Sequence, residues 1–108
     1  MPRYVYVMTH GFCDSVKIGH SSDPRMRELA ANLFCPIEGY KIAYRLETDN
    51  APSVEKYVHK RLSKFRQNGE WFNVTLEVAV TRILEGDVNV RKMFGAQSLS
   101  ELNLSKYQ

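Results

Sequence analysis

The spacing of apolar positions changes several times along the chain, and each change marks an element. Residues 4–9 read YVYVMT, a run rich in tyrosine and valine that suits a β-strand. GFCD follows as a turn, with Gly11 and Asp14 as its turn-forming residues, and SVKIG reads as a second short strand ending at Gly19. Two strands joined by a short loop make a hairpin the first unit. Beyond it the period lengthens: Ser22 or Asp23 can cap, Pro24 fits a first helical turn, and Met26, Leu29, Ala30 and Leu33 recur at helical spacing. This predicts a helix from about Pro24 to Leu33 with that stripe on its buried side.

Pro36 stops the helix, and YKIAYRLET alternates Tyr40, Ile42, Tyr44 and Leu46 on one side of a third strand. After the turn signal TDNAP a second helix is expected from about Ser53 to Phe65, its stripe formed by Val54, Tyr57, Val58, Leu62 and Phe65. QNGE breaks it at Gly69, EWFNV is a short aromatic strand or extended segment, and TLEVAVTRILEG predicts a third helix with Thr75 as cap. Val78, Ile83 and Leu84 are among its apolar positions. From Asp87 the pattern weakens, and the remainder reads as one more short amphipathic helix or a partly ordered tail. The expected class is α/β, with a small mixed β-sheet of three main strands flanked by helices. Residues 1–86 form the domain and 87–108 a C-terminal extension.

At 108 residues the chain suits one domain with one core, and its 44% apolar and 25% charged residues are ordinary globular values. No run approaches the roughly 20 apolar residues that span a bilayer, and MPRYVYVMTH lacks the order of a signal peptide, so a soluble cytoplasmic protein without membrane contact is expected. Cys13 and Cys35 then read as thiols rather than a bridge, and with His10 they form no zinc spacing. The net charge of +3 is mild, but EKYVHKRLSKFR concentrates Lys56, Lys60, Arg61, Lys64 and Arg66 against a single acid. This element is either a solvated helix face or an anion platform. On a continuous helix Lys56, Lys60 and Lys64, four residues apart, would form one ridge.

Val5-Tyr6 on the first strand, Lys17-Ile18-Gly19 ending the second, and Arg27 eight residues after that glycine together resemble the GIY-YIG nucleases. Glu55, His59 and the later Gly69-Glu70-Trp71-Phe72 are similar to a phage and bacterial branch whose second signature reads KIG. The likeness spans roughly residues 4 to 84. Two departures accompany it: the first signature is YVY rather than GIY, and Lys17 stands where many members carry tyrosine.

The resemblance implies a metal-dependent endonuclease acting on nucleic acid, DNA ahead of RNA, as a monomer or homodimer. Tyr6 matches the tyrosine proposed to activate the attacking water, and Lys17 is a candidate cation to favour its phenolate. Arg27 is placed to hold the scissile phosphate through its planar fork, with Arg25 as the competing candidate. Glu55 matches the carboxylate that binds one divalent cation, Mg2+ or Mn2+. His59, one helical turn later, shares its face and could orient the carboxylate, touch phosphate or relay a proton. His20 could contact phosphate, as could Lys56, Lys60 and Lys64. Glu70-Trp71-Phe72 reads chiefly as a core anchor, with stacking of Trp71 on an unpaired base as the other reading. The alternative to an enzyme is a nucleic-acid-binding module of the same fold that has lost turnover, and a third reading is a protein-interaction domain. No helix-turn-helix or zinc-finger motif is visible.

Overall fold

The computed structural model describes residues 2–34 and 39–106, with side chains described as far as residue 93. Cys35 and Pro36, and with them one expected thiol and the helix stop, lie outside the described residues. Cys13 is a free, exposed thiol.

Strand β1 (Tyr4–His10) and strand β2 (Cys13–Ser21) form the expected antiparallel hairpin, with Tyr6 opposite Gly19 and Met8 opposite Lys17. β2 outruns the SVKIG segment at both ends because backbone pairing carries its polar residues as readily as its apolar ones. Helix α1 (Pro24–Leu33) then takes the chain across to strand β3 (Tyr40–Glu47), which pairs with the other side of β1. Strands β4 (Arg66–Asn68) and β5 (Trp71–Phe72) complete a five-stranded sheet ordered β3-β1-β2-β5-β4. The α/β class and the three main strands are as the sequence predicts. The sheet is antiparallel at every pairing rather than mixed: β2 and β3 run the same way, but β1 lies between them, so they share no ladder.

One sheet face carries Val5, Val7, Val16 and Ile18, and against it pack Val54, Val58 and Leu62 of helix α2 (Ala51–Arg61) and Ala79, Ile83 and Val90 of helix α3 (Leu76–Lys106). Each fully buried valine or isoleucine there contributes roughly 1.5–3 kcal/mol. α2 begins two residues before the expected Ser53 and gives way after Arg61 to a 3-10 turn at Ser63–Phe65. Burial of Leu62 pulls the chain inward before it enters β4, so Lys64 leaves the helical ridge of Lys56 and Lys60, and Phe65 is 44% exposed. Gly69, at φ +56, makes the tight turn between β4 and β5.

α3 starts as predicted, with the Val78 amide donating to Thr75 Oγ1 at 3.2 Å. It runs on through Gly86, where the pattern predicts its end. That glycine serves close packing, since a Cβ there would lie 2.8 Å from Tyr57 Cδ1. Ile83 is buried, whereas Val78 and Leu84 face solvent. Among the described residues no helix is long and apolar enough to cross a membrane.

α1 reverses the expected orientation. Met26, Leu29 and Leu33 are exposed, and its inward contacts are polar. β3 is a sheet edge with free backbone groups: Glu28 Oε2 accepts from the Ile42 amide at 2.7 Å, Asn32 Oδ1 accepts from the Gly39 and Tyr40 amides, and Asn32 Nδ2 donates to the Tyr40 carbonyl. The demand of those edge groups for partners outweighs the apolar stripe.

Candidate active site

The hairpin places Tyr6 directly across from Gly19, and the missing side chain of that glycine leaves room that the neighbours occupy. A Cβ at position 19 would stand 2.7 Å from Tyr6 Oη and 3.1 Å from Glu70 Oε1, so a phenol and a carboxylate converge over the Gly19 backbone. Met8 and Lys17 form the next cross-strand pair, which puts Lys17 on the same sheet face as Tyr6. Lys17 Nζ lies 3.8 Å from Glu70 Oε1 and 5.9 Å from the centre of the Tyr6 ring.

α2 brings Glu55 and His59 to this end of β2. Glu55 Oε2 is 3.9 Å from His20 Nε2, and Glu55 Oε1 is 4.0 Å from His59 Nδ1. Glu55 Oε2 and His20 Nδ1 are both buried without a hydrogen-bond partner. Burial pushes the Glu55 carboxyl above its ordinary pKa, the charge of Glu70 pushes the same way, and His59, Lys17 and the His20 backbone amide pull it back. The Glu55 carboxylate is therefore held at a cost that a positive ligand would relieve.

Both ring nitrogens of His59 are occupied. Nε2 lies 2.7 Å from the Ile18 carbonyl oxygen, which can only accept, and Nδ1 lies 3.1 Å from Arg66 Nη2, which can only donate. Nε2 therefore donates its proton to that carbonyl, and Nδ1 is the nitrogen turned towards both Arg66 and Glu55. The ring face also rests against Phe72 at 4.9 Å. His59 ties α2 to β2.

Tyr6 is 2% exposed, and its pKa is pushed up to about 12, first by burial, then by the charge of Glu70 and, more weakly, of Glu55. Arg27 is the cation that opposes this rise. Arg27 therefore acts on the tyrosine, while Arg25 lines a separate groove with Ile42, Ala43, Tyr44 and Arg45. Lys56 and Lys60 lie exposed on the outer face of α2, next to the Glu55–His59 face rather than within it.

The structure thus brings together Tyr6, Lys17, His20, Glu55 and His59, with Arg27 close enough to act electrostatically. It also adds two residues that the sequence reading left out. Glu70 directly precedes the Trp71-Phe72 pair in sequence, yet its carboxylate reaches Lys17 and the space over Gly19. Arg66 was one of several cations in a basic run, yet it holds His59 and covers the Phe72 ring at 5.4 Å. An acid at a turn just before a buried aromatic was the available signal for Glu70. Nothing in the local pattern marks Arg66, because its partner comes from tertiary packing. Among the described residues no group of three or more His, Cys, Asp or Glu side chains forms a metal cage.

These features define a small α/β domain with a half-buried cluster of opposite charges at the end of a central hairpin. Residues 3–85 match the T5orf172 domain, and the chain belongs to that family, a phage-associated domain with a nuclease-like fold. No curated protein and no solved structure matches the chain.

Proposed function

We infer that the protein is a metal-dependent endonuclease of the GIY-YIG type that hydrolyses phosphodiester bonds in nucleic acid, with DNA ahead of RNA. The family supports a nuclease-like or nucleic-acid-binding module. The observation that carries the finer reading is Glu55, a half-buried carboxylate whose buried Oε2 lacks any donor. One carboxylate with an unpartnered oxygen suits Mg2+ or Mn2+, which retain waters and share their shell with substrate phosphate, and a cation held by Glu55 would supply Lewis-acid stabilisation of the phosphoryl oxygens.

The remaining tasks fall to the chain's own residues. Arg27 binds the scissile phosphate through its guanidinium fork. Tyr6, neutral at physiological pH because its pKa is about 12, offers its hydroxyl over Gly19 to orient the phosphate or the attacking water. Burial above all, and then the negative charge of Glu70 and Glu55, holds that proton on the phenol. Lys17 does not serve as a free activating cation, since Glu70 pairs with it. His59 and Arg66 hold α2 and β2 in register around Glu55, and His20 lines the same space. Lys56, Lys60 and Lys64 contribute phosphate contacts along the approach.

The high pKa of Tyr6 also favours a second reading, a binding module of the same fold without turnover. Incubation with supercoiled plasmid and with circular single-stranded DNA, in magnesium or in chelator, separates the two. Nicking that requires the metal is the expected result. Salt-sensitive binding without cleavage of either substrate would establish the module instead.

A further inference from the structure

Four rings form a track across the strand ends beside the candidate active site. Trp71 on β5 is the cross-strand neighbour of Lys17, and its ring centre lies 6.0 Å from that of Tyr40 on β3. Tyr40 meets His10 on β1 edge-on at 4.6 Å, and His10 meets Phe12 at 5.7 Å in the hairpin turn. The track is held in place from behind, because Asn32 pins the Tyr40 backbone and the Phe12 amide donates to His10 Nδ1 at 3.1 Å. It begins at Trp71, next to Glu70 in sequence and across from Lys17, and ends at Phe12, which is 80% exposed.

An exposed phenylalanine in a turn contributes nothing to the core, and a row of rings running away from Lys17 and Arg27 has a chemical match. Every nucleobase has a π-face that stacks on aromatic side chains, and a strand laid along the track would carry its phosphates towards Arg27. We propose that Trp71, Tyr40, His10 and Phe12 form a platform for the unpaired bases of a nucleic-acid strand leading from the scissile phosphate. The proposal rests on the nucleic-acid reading of the site and specifies its substrate: a single-stranded or splayed segment on one side of the cut. A duplex keeps its bases stacked on each other and would not use the platform.

Trp71 is the only tryptophan in the chain, so its fluorescence reports on the platform directly. The test titrates the intact protein, in chelator, with an oligothymidylate of about 12 nucleotides and with a hairpin duplex of similar length, for wild type and Phe12→Ser. Phe12 is far from the core, so the variant folds. The single strand is expected to quench Trp71, and Phe12→Ser is expected to raise its Kd about tenfold while changing the duplex Kd less than twofold. Absence of quenching by the single strand overturns the platform, as does an equal effect of the substitution on both ligands or on neither. Concentration-dependent self-association abolished by Phe12→Ser would overturn it too, with a second copy as the occupant of the ring surface. Because this titration involves neither metal nor cleavage, a failed nicking assay leaves it standing. Metal-dependent nicking with an indifferent Phe12 would remove the platform alone.

Discussion

α1 and α2 are near twins in sequence pattern and opposites in use. Each is about three turns long, each has proline in its first turn, and each shows an apolar stripe at helical spacing. α2 buries that stripe, with Val54 and Val58 fully enclosed, and carries Glu55 and His59 at its border. α1 leaves Met26, Leu29 and Leu33 at 58%, 52% and 73% exposure and turns Glu28 and Asn32 inward. Periodicity therefore locates a helix but does not decide which face is buried. That choice depends on what the helix lies against: α2 meets an apolar sheet face, whereas α1 meets an edge strand whose amides need acceptors.

The two helices also act on the site with opposite sign. α1 supplies Arg27, which lowers the pKa of Tyr6, and α2 supplies Glu55, which raises it. The largest expected effect of separating them is catalytic. Arg27→Ala should cut the cleavage rate by roughly 10²–10³, as loss of a charge-stabilising donor does, while Arg25→Ala should change it less than about threefold. Single-turnover rates on one oligonucleotide check this, and equal losses would refute the division between the two arginines.

The next effect is on stability and contrasts the helices directly. Val58→Ala should destabilise the fold by about 1–3 kcal/mol through lost burial and a cavity, whereas Leu33→Ser should stay within about 0.5 kcal/mol because its side chain is already in water. Urea denaturation with unchanged slopes would measure both. A large loss from Leu33→Ser would mean that α1 buries its stripe in solution. Asn32→Ala should fall between them, at about 1–3 kcal/mol, since it strips partners from the Gly39 and Tyr40 amides and the Tyr40 carbonyl.

Much of this contrast could be read in the sequence and some could not. The bounds of α1, the β1–β2 hairpin, the alternation along β3 and the cap at Thr75 all follow from local chemistry, because proline, threonine and side-chain period act over a few residues. The spacing of Tyr6, Lys17, Arg27, Glu55 and His59 was legible only through a family likeness, since these residues are brought together from two strands and two helices. The inward turn of Glu28 and Asn32 was hidden, although their separation of four residues placed both on one face. Glu70 and Arg66 were hidden more deeply: each earns its place through a partner more than five residues away in sequence, Lys17 and His59 respectively.

The smallest effect sharpens the electrostatic side of the comparison. A folded Tyr6 with a pKa of about 12, above its ordinary value of 10, favours the neutral phenol. Its stabilising contribution is therefore complete below pH 10 and is lost as the pH rises from 10 through 12. Alkaline absorbance titration of wild type minus Tyr6→Phe should show one phenol ionising last. Glu70→Gln should move that step to lower pH and Arg27→Ala to higher pH. A Tyr6 that ionises at its ordinary value in the folded protein would contradict the burial and charge pattern around Gly19.

In the proposed nuclease, Glu55 is a functional carboxylate kept in an unfavourable place. Glu55→Gln keeps the shape and removes the charge, so the variant is expected to nick no plasmid in magnesium. It should nonetheless be more stable than wild type, by about 1 kcal/mol, as expected when a strained site residue is neutralised. Nicking rate against magnesium concentration for Glu55→Gln and wild type, on protein shown to be folded, is the most direct measurement. No cleavage by the folded variant at any magnesium concentration at which wild type cuts is the predicted result; cleavage at the wild-type rate would contradict the account.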